Sequence, residues 1–169
     1  MNMHKEISLE YLNQLFYIDS ENILRWKIQK GNRNPNEIAG RISTYGYYEV
    51  RIDGYLRPVH RLMYQIHNSL DFLDCNILVD HIDGNVINNS KENLRQCTKS
   101  QNLSNRGKQE NNTSGYKGVS FDKKRNKWQA GIGLKGKRIS LGRYDTPELA
   151  YDAYCRKAKE LHGEFHNLG

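Results

Sequence analysis

Apolar residues fall in short bursts along this chain, and their spacing alternates between helical and strand-like. In residues 1–58, Ser8 is placed to cap a short amphipathic helix whose Leu12, Leu15 and Phe16 share one face. Strand-like runs follow at Ile23–Lys27 and Tyr45–Ile52. Asp53-Gly54 is a hairpin turn signal before a further run, Tyr55–Val59. A small β-rich module is predicted, and its Arg51, Arg57 and tyrosines suit either DNA contact or an ordinary strand surface. Residues 59–106 open with a helix carrying Leu62, Met63 and Ile66. They continue as a strand at Ile77–Ile82, a turn at Asp83-Gly84-Asn85, a strand at Asn93–Cys97 and a polar helix from Thr98 to Asn105.

Residues 107–114 are polar, without an apolar anchor, and read as a linker. Beyond it, residues 115–169 predict three strands, Tyr116–Phe121, Lys127–Leu134 and Lys137–Tyr144, with turns at Lys123–Asn126 and Lys135-Gly136. Thr146 and Pro147 then supply the N-cap and first position of a helix. Ala150, Tyr154, Ala158 and Leu161 form its apolar stripe, and Gly163 ends it. The pattern as a whole predicts an α+β chain of small modules, the last being a three-stranded antiparallel sheet packed on one helix.

Composition adds two constraints. With 37% hydrophobic residues and a mean hydropathy of −0.86, the 169 residues predict no large core, and no run is long enough to span a bilayer. The N-terminus has no signal-peptide pattern. Cys75, Cys97 and Cys155 are odd in number and outside any CxxC, which predicts reduced thiols in a cytoplasmic protein and no cysteine-built zinc site. The net charge of +7 is concentrated: residues 1–112 hold 14 Lys/Arg against 13 Asp/Glu, whereas 113–169 hold 12 against 6. A polyanionic partner is therefore expected at the last third, the bland alternative being a solvated basic surface.

Candidate chemistry sits at Asp80-His81, near the end of a predicted strand. A carboxylate can hold a cation while a neutral imidazole takes a proton from water, the pair of roles that phosphodiester hydrolysis needs. Oxygen donors without thiols favour Mg²⁺ or Mn²⁺ over Zn²⁺. An isolated Asp-His pair is weak, but its surroundings are specific. Val59-His60-Arg61-Leu62, Val79-Asp80-His81-Ile82-Asp83-Gly84-Asn85, Asn88-Asn89, Glu92-Asn93-Leu94-Arg95 and Gln101-Asn102 together resemble the HNH endonucleases, particularly those of phages and mobile introns. The resemblance implies a ββα-metal fold over 59–106. Asp80 and Asn102 would bind one divalent ion, His81 would be the general base, and Asn93 would steady the loop and the base. It also implies 5′-phosphate and 3′-hydroxyl products. His60 is either a core histidine behind the site or, with Arg61, a support for the catalytic loop or the phosphate. Arg95 and Arg106 are both open as phosphate contacts. Asp83-Gly84 reads as the hairpin turn, and Asn85, Asn88 and Asn89 as loop-capping residues or DNA-backbone contacts.

Tyr116 to Tyr144 contains nine basic residues and one acid, Asp122, interleaved with Phe121 and Trp128. Period-two spacing would give this sheet one face for the helix and one basic face for a DNA groove. Gly115-Tyr116-Lys117-Gly118-Val119, Lys127-Trp128-Gln129-Ala130, Leu141-Gly142-Arg143-Tyr144, Thr146, Ala150, Ala153-Tyr154 and His162-Gly163 resemble the plant APETALA/ethylene-response-factor DNA-binding domain. Ser120, Asp122, Gly131, Gly133 and Ser140 depart from that domain's contacting side chains, so its target sequence does not carry over. DNA binding by the sheet does, with Lys117, Lys123, Lys124, Arg125, Lys127, Lys135, Lys137, Arg138 and Arg143 as the pool. The resulting expectation is a homing-type endonuclease acting on double-stranded DNA as a monomer or weak dimer, with no membrane or small-molecule cofactor. A non-catalytic DNA-binding protein with a relict HNH fold is the alternative, and an RNA-directed module a third.

Overall fold

Ser8 begins the first helix as its spacing predicts: its hydroxyl accepts the Tyr11 N–H at 3.2 Å, opening α1 (Leu9–Leu15). The computed structural model describes residues 6–134 and 136–169, so Lys135, its turn with Gly136 and its expected DNA contact lie outside the described residues. Helical geometry stops one residue before Phe16, which adopts φ −132° and ψ 160° and starts β1 (Phe16–Ile18). The expected helix face is corrected to that extent. Phe16 pairs in register with Trp26 on β2 (Leu24–Trp26), with ring centroids 4.5 Å apart, so extension buries both rings. A second sheet has the order β3 (Arg41–Ile42), β4 (Tyr48–Ile52) and β5 (Tyr55–Pro58), all antiparallel. Asp53 and Gly54 join β4 to β5 with φ of 48° and 85°, the left-handed pair a two-residue hairpin turn requires.

The chain turns at once into α2 (Val59–His67), whose Val59, Leu62 and Met63 bury against Leu12, Leu15, Phe16, Val50 and Ile52. Buried Gln65 is satisfied by donating to the Ile7 and Asp71 carbonyls, which ties α2 to the residues just before α1. β6 (Leu78–His81) and β7 (Leu94–Cys97) form an antiparallel pair with Asp80 opposite Arg95 and His81 opposite Leu94. Val79 and Leu94 join the core that contains α2. His81 has the same parity as Val79 and lies on that inner face, while Asp80 and Arg95 share the other. These elements form one of two compact units, which divide between Cys97 and Thr98.

The second unit starts with α3 (Lys99–Asn105), closed by a capping box in which Thr98 and Gln101 each accept the other's backbone N–H. β8 (Val119–Asp122), β9 (Lys127–Leu134) and β10 (Lys137–Tyr144) form an antiparallel sheet in the order β10-β9-β8. The first of these strands starts at Val119, not Tyr116. The Ser114 hydroxyl bonds the Tyr116 and Val119 carbonyls, and Gly118 at φ +76° turns the chain. α4 (Pro147–His162) is capped by Thr146 and lays Ala150, Tyr154 and Ala158 on Val119, Ala130 and Ile132. Gly118 is required by this packing, because a Cβ there would lie 2.2 Å from the Tyr154 ring. α3 is fastened to the end of the chain: Asn167 donates to the Asn105 carbonyl at 2.8 Å and Ser104 meets His162 Nδ1 at 3.2 Å.

Candidate active site and nucleic-acid face

β6 delivers its two chemical side chains in sequence, and the loop after it is locked by amides. Asp80, His81, Asn89 and Asn93 are only 7%, 4%, 6% and 7% exposed, so each needs a polar partner within the protein. His81 Nε2 lies 2.9 Å from Asn89 Oδ1. Its ring is flanked by His60 on α2 at 5.1 Å and by Tyr47 at 6.1 Å between centroids. Asp80 Oδ2 accepts from Arg95 Nη2 at 3.1 Å and Nε at 3.3 Å, a buried ion pair across the two strands. Asn93 accepts the Asp83 N–H at 3.0 Å and donates to the Asp83 carboxylate and the Asn88 carbonyl at 2.9 and 2.7 Å. Its own carbonyl takes the Ile82 N–H at 2.8 Å. Asp83 is more than a turn residue, since its carboxylate also takes the Asn85 N–H and the Asn88 amide.

Burial lowers the basicity of two histidines around this loop. Burial, aided by repulsion between its own positive form and any charge on the neighbouring His81 and by the Arg61 guanidinium, pushes the His60 imidazole down to about 3, so it is a neutral ring against His81. Burial likewise lowers His67, whose Nε2 lies 3.3 Å from the Asn89 carbonyl. On the other face, burial and then the Asp80 carboxylate push the Cys97 thiol up, leaving it an inert, buried thiol. Arg61 donates to the Ile77 and Asp74 carbonyls and so braces the segment leading into β6.

The hairpin thus carries Asp80 and His81 on opposite faces, with Asn93, just before β7, tying the loop between the strands. Asn102, half-buried on α3, belongs to the second unit. Among the described residues no three His, Cys, Asp or Glu side chains cluster as a metal cage. A carboxylate donor with no such cluster of thiol or histidine ligands beside it suits an oxygen-preferring ion and does not suit tetrahedral zinc.

The outer face of the second unit's sheet carries Ser120, Asp122, Lys127, Gln129, Gly131, Gly133, Arg138, Ser140 and Arg143, as the strand registers dictate. Asp122 takes hydrogen bonds from Arg125 at 3.2 Å and Arg143 at 3.0 Å, and Lys127 pairs with Asp145. Arg138 lies over Gly131, where a Cβ would come within 2.6 Å of its Nε. Lys123, Lys124, Lys137 and Arg138 are exposed. Trp128 faces α4 with Ala130 and Ile132, the core reading of that residue. Lys117 points inward. Its ammonium donates to the Ser104 and Asn167 carbonyls at 2.9 and 2.8 Å above the Tyr154 ring, and burial pushes it down to about 8. Sequence reasoning missed this clamp and the Asn89 contact to His81; only the Asn88-Asn89 doublet marked the latter.

Two stretches of the chain match separate families of known proteins. Residues 57–104 match the family model described as HNH endonuclease, and residues 114–164 match the AP2 domain. Over 87 residues the chain is 38% identical to "Protein 3.8" of Escherichia phage T7, covering 52% of this chain and 71% of that protein. Over 118 residues it is 32% identical to a protein of Acanthamoeba polyphaga mimivirus described as an uncharacterized HNH endonuclease, covering 70% of this chain and 60% of the relative. The chain thus spans about three-fifths of the mimivirus protein's length. No solved structure matches the chain. Among the described residues no helix is long and apolar enough to cross a membrane.

Proposed function

Because the chain belongs to the HNH endonuclease family and carries a C-terminal AP2 domain, we propose that it is a homing-type DNA endonuclease whose C-terminal sheet holds double-stranded DNA for the HNH centre. The observation that carries this reading is the buried imidazole of His81, held by an amide beside a buried carboxylate at the end of β6. In the reaction, His81 accepts a proton from water as the water oxygen bonds to phosphorus and the P–O3′ bond breaks. The leaving 3′ oxygen takes a proton from solvent. Asp80 and Asn102 are the residues that would hold a divalent ion, Mg²⁺ or Mn²⁺. Such an ion, when bound, offsets the charge that develops on the phosphate and the departing oxygen. Asn93 keeps the loop between β6 and β7 closed, and Arg95 balances the buried Asp80 carboxylate.

The test uses supercoiled plasmid with Mg²⁺ or Mn²⁺, alongside a chelator control and His81→Ala. Relaxed or linear plasmid from wild type alone, lost on chelation, is the expected result. Intact plasmid with wild type and both ions sinks the enzyme reading and leaves a DNA-binding protein with a relict HNH fold.

A further inference from the structure

We infer that Asn89 is the positioning residue of the general base: its side-chain carbonyl fixes the His81 proton on Nε2 and so leaves the basic lone pair on Nδ1. The inference rests on the reading of His81 as the base given above. A neutral imidazole has one N–H, and the side-chain oxygen of an asparagine can only accept. At 2.9 Å, with His81 and Asn89 both buried, the contact to Asn89 Oδ1 requires Nε2 to be the donor. The other ring nitrogen then carries the lone pair that takes the water proton, with Nε2 keeping its own throughout.

The surroundings hold both partners in place. Asn89 is gripped on the main chain as well, since His67 Nε2 from the last turn of α2 approaches its carbonyl at 3.3 Å. One peptide earlier, Asn93 Nδ2 donates to the Asn88 carbonyl at 2.7 Å. The His60 and Tyr47 rings lie within 5.1 and 6.1 Å of the His81 ring and restrict its rotation. Two tasks that the sequence assigned to Asn93 alone are therefore divided: Asn93 ties the loop, and Asn89 orients the base.

The experiment reads the tautomer directly, by ¹⁵N NMR of the imidazole in the full-length chain without DNA or metal. The His81 signal is assigned by its loss in His81→Ala. Wild type is expected to carry the proton on Nε2. Asn89→Ala is expected to mix the two tautomers and to lower kcat about ten- to a hundredfold with KM little changed, by analogy with losing the partner that orients a metal-bound histidine. Asn89→Asp keeps the acceptor, so it should restore the Nε2–H form. A wild-type His81 protonated on Nδ1 overturns the inference, as does an Asn89→Ala chain that keeps the wild-type tautomer. The wild-type spectrum needs no variant to fold. It also decides the matter if the protein cuts no DNA, so failure of the enzyme reading and failure of this inference are separable.

Discussion

The β6–β7 hairpin and the β8–β10 sheet are both two-faced, yet they use their polar residues in opposite ways. In the hairpin the candidate catalytic groups are buried, each bonded to a named partner, and His60 beside His81 is held neutral. In the sheet the cations lie outward on a surface thinned by Gly131 and Gly133, and several are already paired to Asp122 or Asp145. Chemistry on one phosphate needs a fixed geometry, which burial and amide networks supply. Grip on a duplex needs many replaceable charges, which solvent exposure supplies. The comparison implies that single substitutions should separate cutting from holding.

The largest separation is expected from His81→Ala. With His81 as the proposed general base, its removal should cost about 10²- to 10⁴-fold in rate, and the sheet's cations stay in place, so DNA affinity by gel shift should not change. A parallel loss of affinity would show that the hairpin also supplies grip. Next comes Gly118→Ala, which strikes the sheet's support without touching a charge. A methyl forced against the Tyr154 ring at positive φ should destabilise the second unit by about 2–3 kcal/mol. Urea unfolding followed by the Trp128 fluorescence in a Trp26→Phe background is the measurement, and an unshifted midpoint would mean that α4 can move aside.

Some of this was legible in the sequence. Thr146-Pro147 followed by a small-residue stripe could only start a helix, and Asp53-Gly54 between alternating runs could only turn a hairpin. Asp80-His81 stood out because turn residues follow at once. What escaped depends on partners far away in the chain. β1 and β3 are three and two residues long, too short for a period, and exist because Trp26 and Tyr48 lie opposite them. Lys117 reads as one more cation of the basic run, and only the fold reveals the two carbonyls that turn it inward. This also changes what truncation means: deleting residues 115–169 removes the Lys117, His162 and Asn167 ties to α3 together with the DNA face. Among Asn85, Asn88, Asn89 and Asn93, composition cannot tell which amide meets the histidine.

A smaller effect should appear in the pH dependence of stability. His60 has its folded value depressed from 6.5 to about 3, so between these limits the unfolded chain binds a proton that the folded chain does not. Its contribution is complete above 6.5 and declines as pH falls through that window, by about 1 kcal/mol per pH unit. His67 is shifted in the same direction by burial and adds to the trend. Denaturant midpoints taken between about pH 7 and pH 5 should fall for wild type and fall less for His60→Gln. Equal slopes would assign the loss to other groups.

The smallest effect, and the finest test of the comparison, is expected from Asp122→Asn. Asp122 is the one acid among nine basic residues from Tyr116 to Tyr144, and it occupies both Arg125 and Arg143. If the sheet grips phosphates by replaceable charge, removing the carboxylate releases two guanidinium groups and lifts a local repulsion of DNA. Binding should tighten a few-fold at low salt, and the slope of log Kd against log salt should steepen by about one, as one more phosphate is neutralised. If Asp122 instead orients Arg143 for a specific contact, the same variant should bind more weakly at every salt concentration with no steeper slope. That result would bring the sheet closer to the hairpin, as a surface whose charges are held in fixed positions.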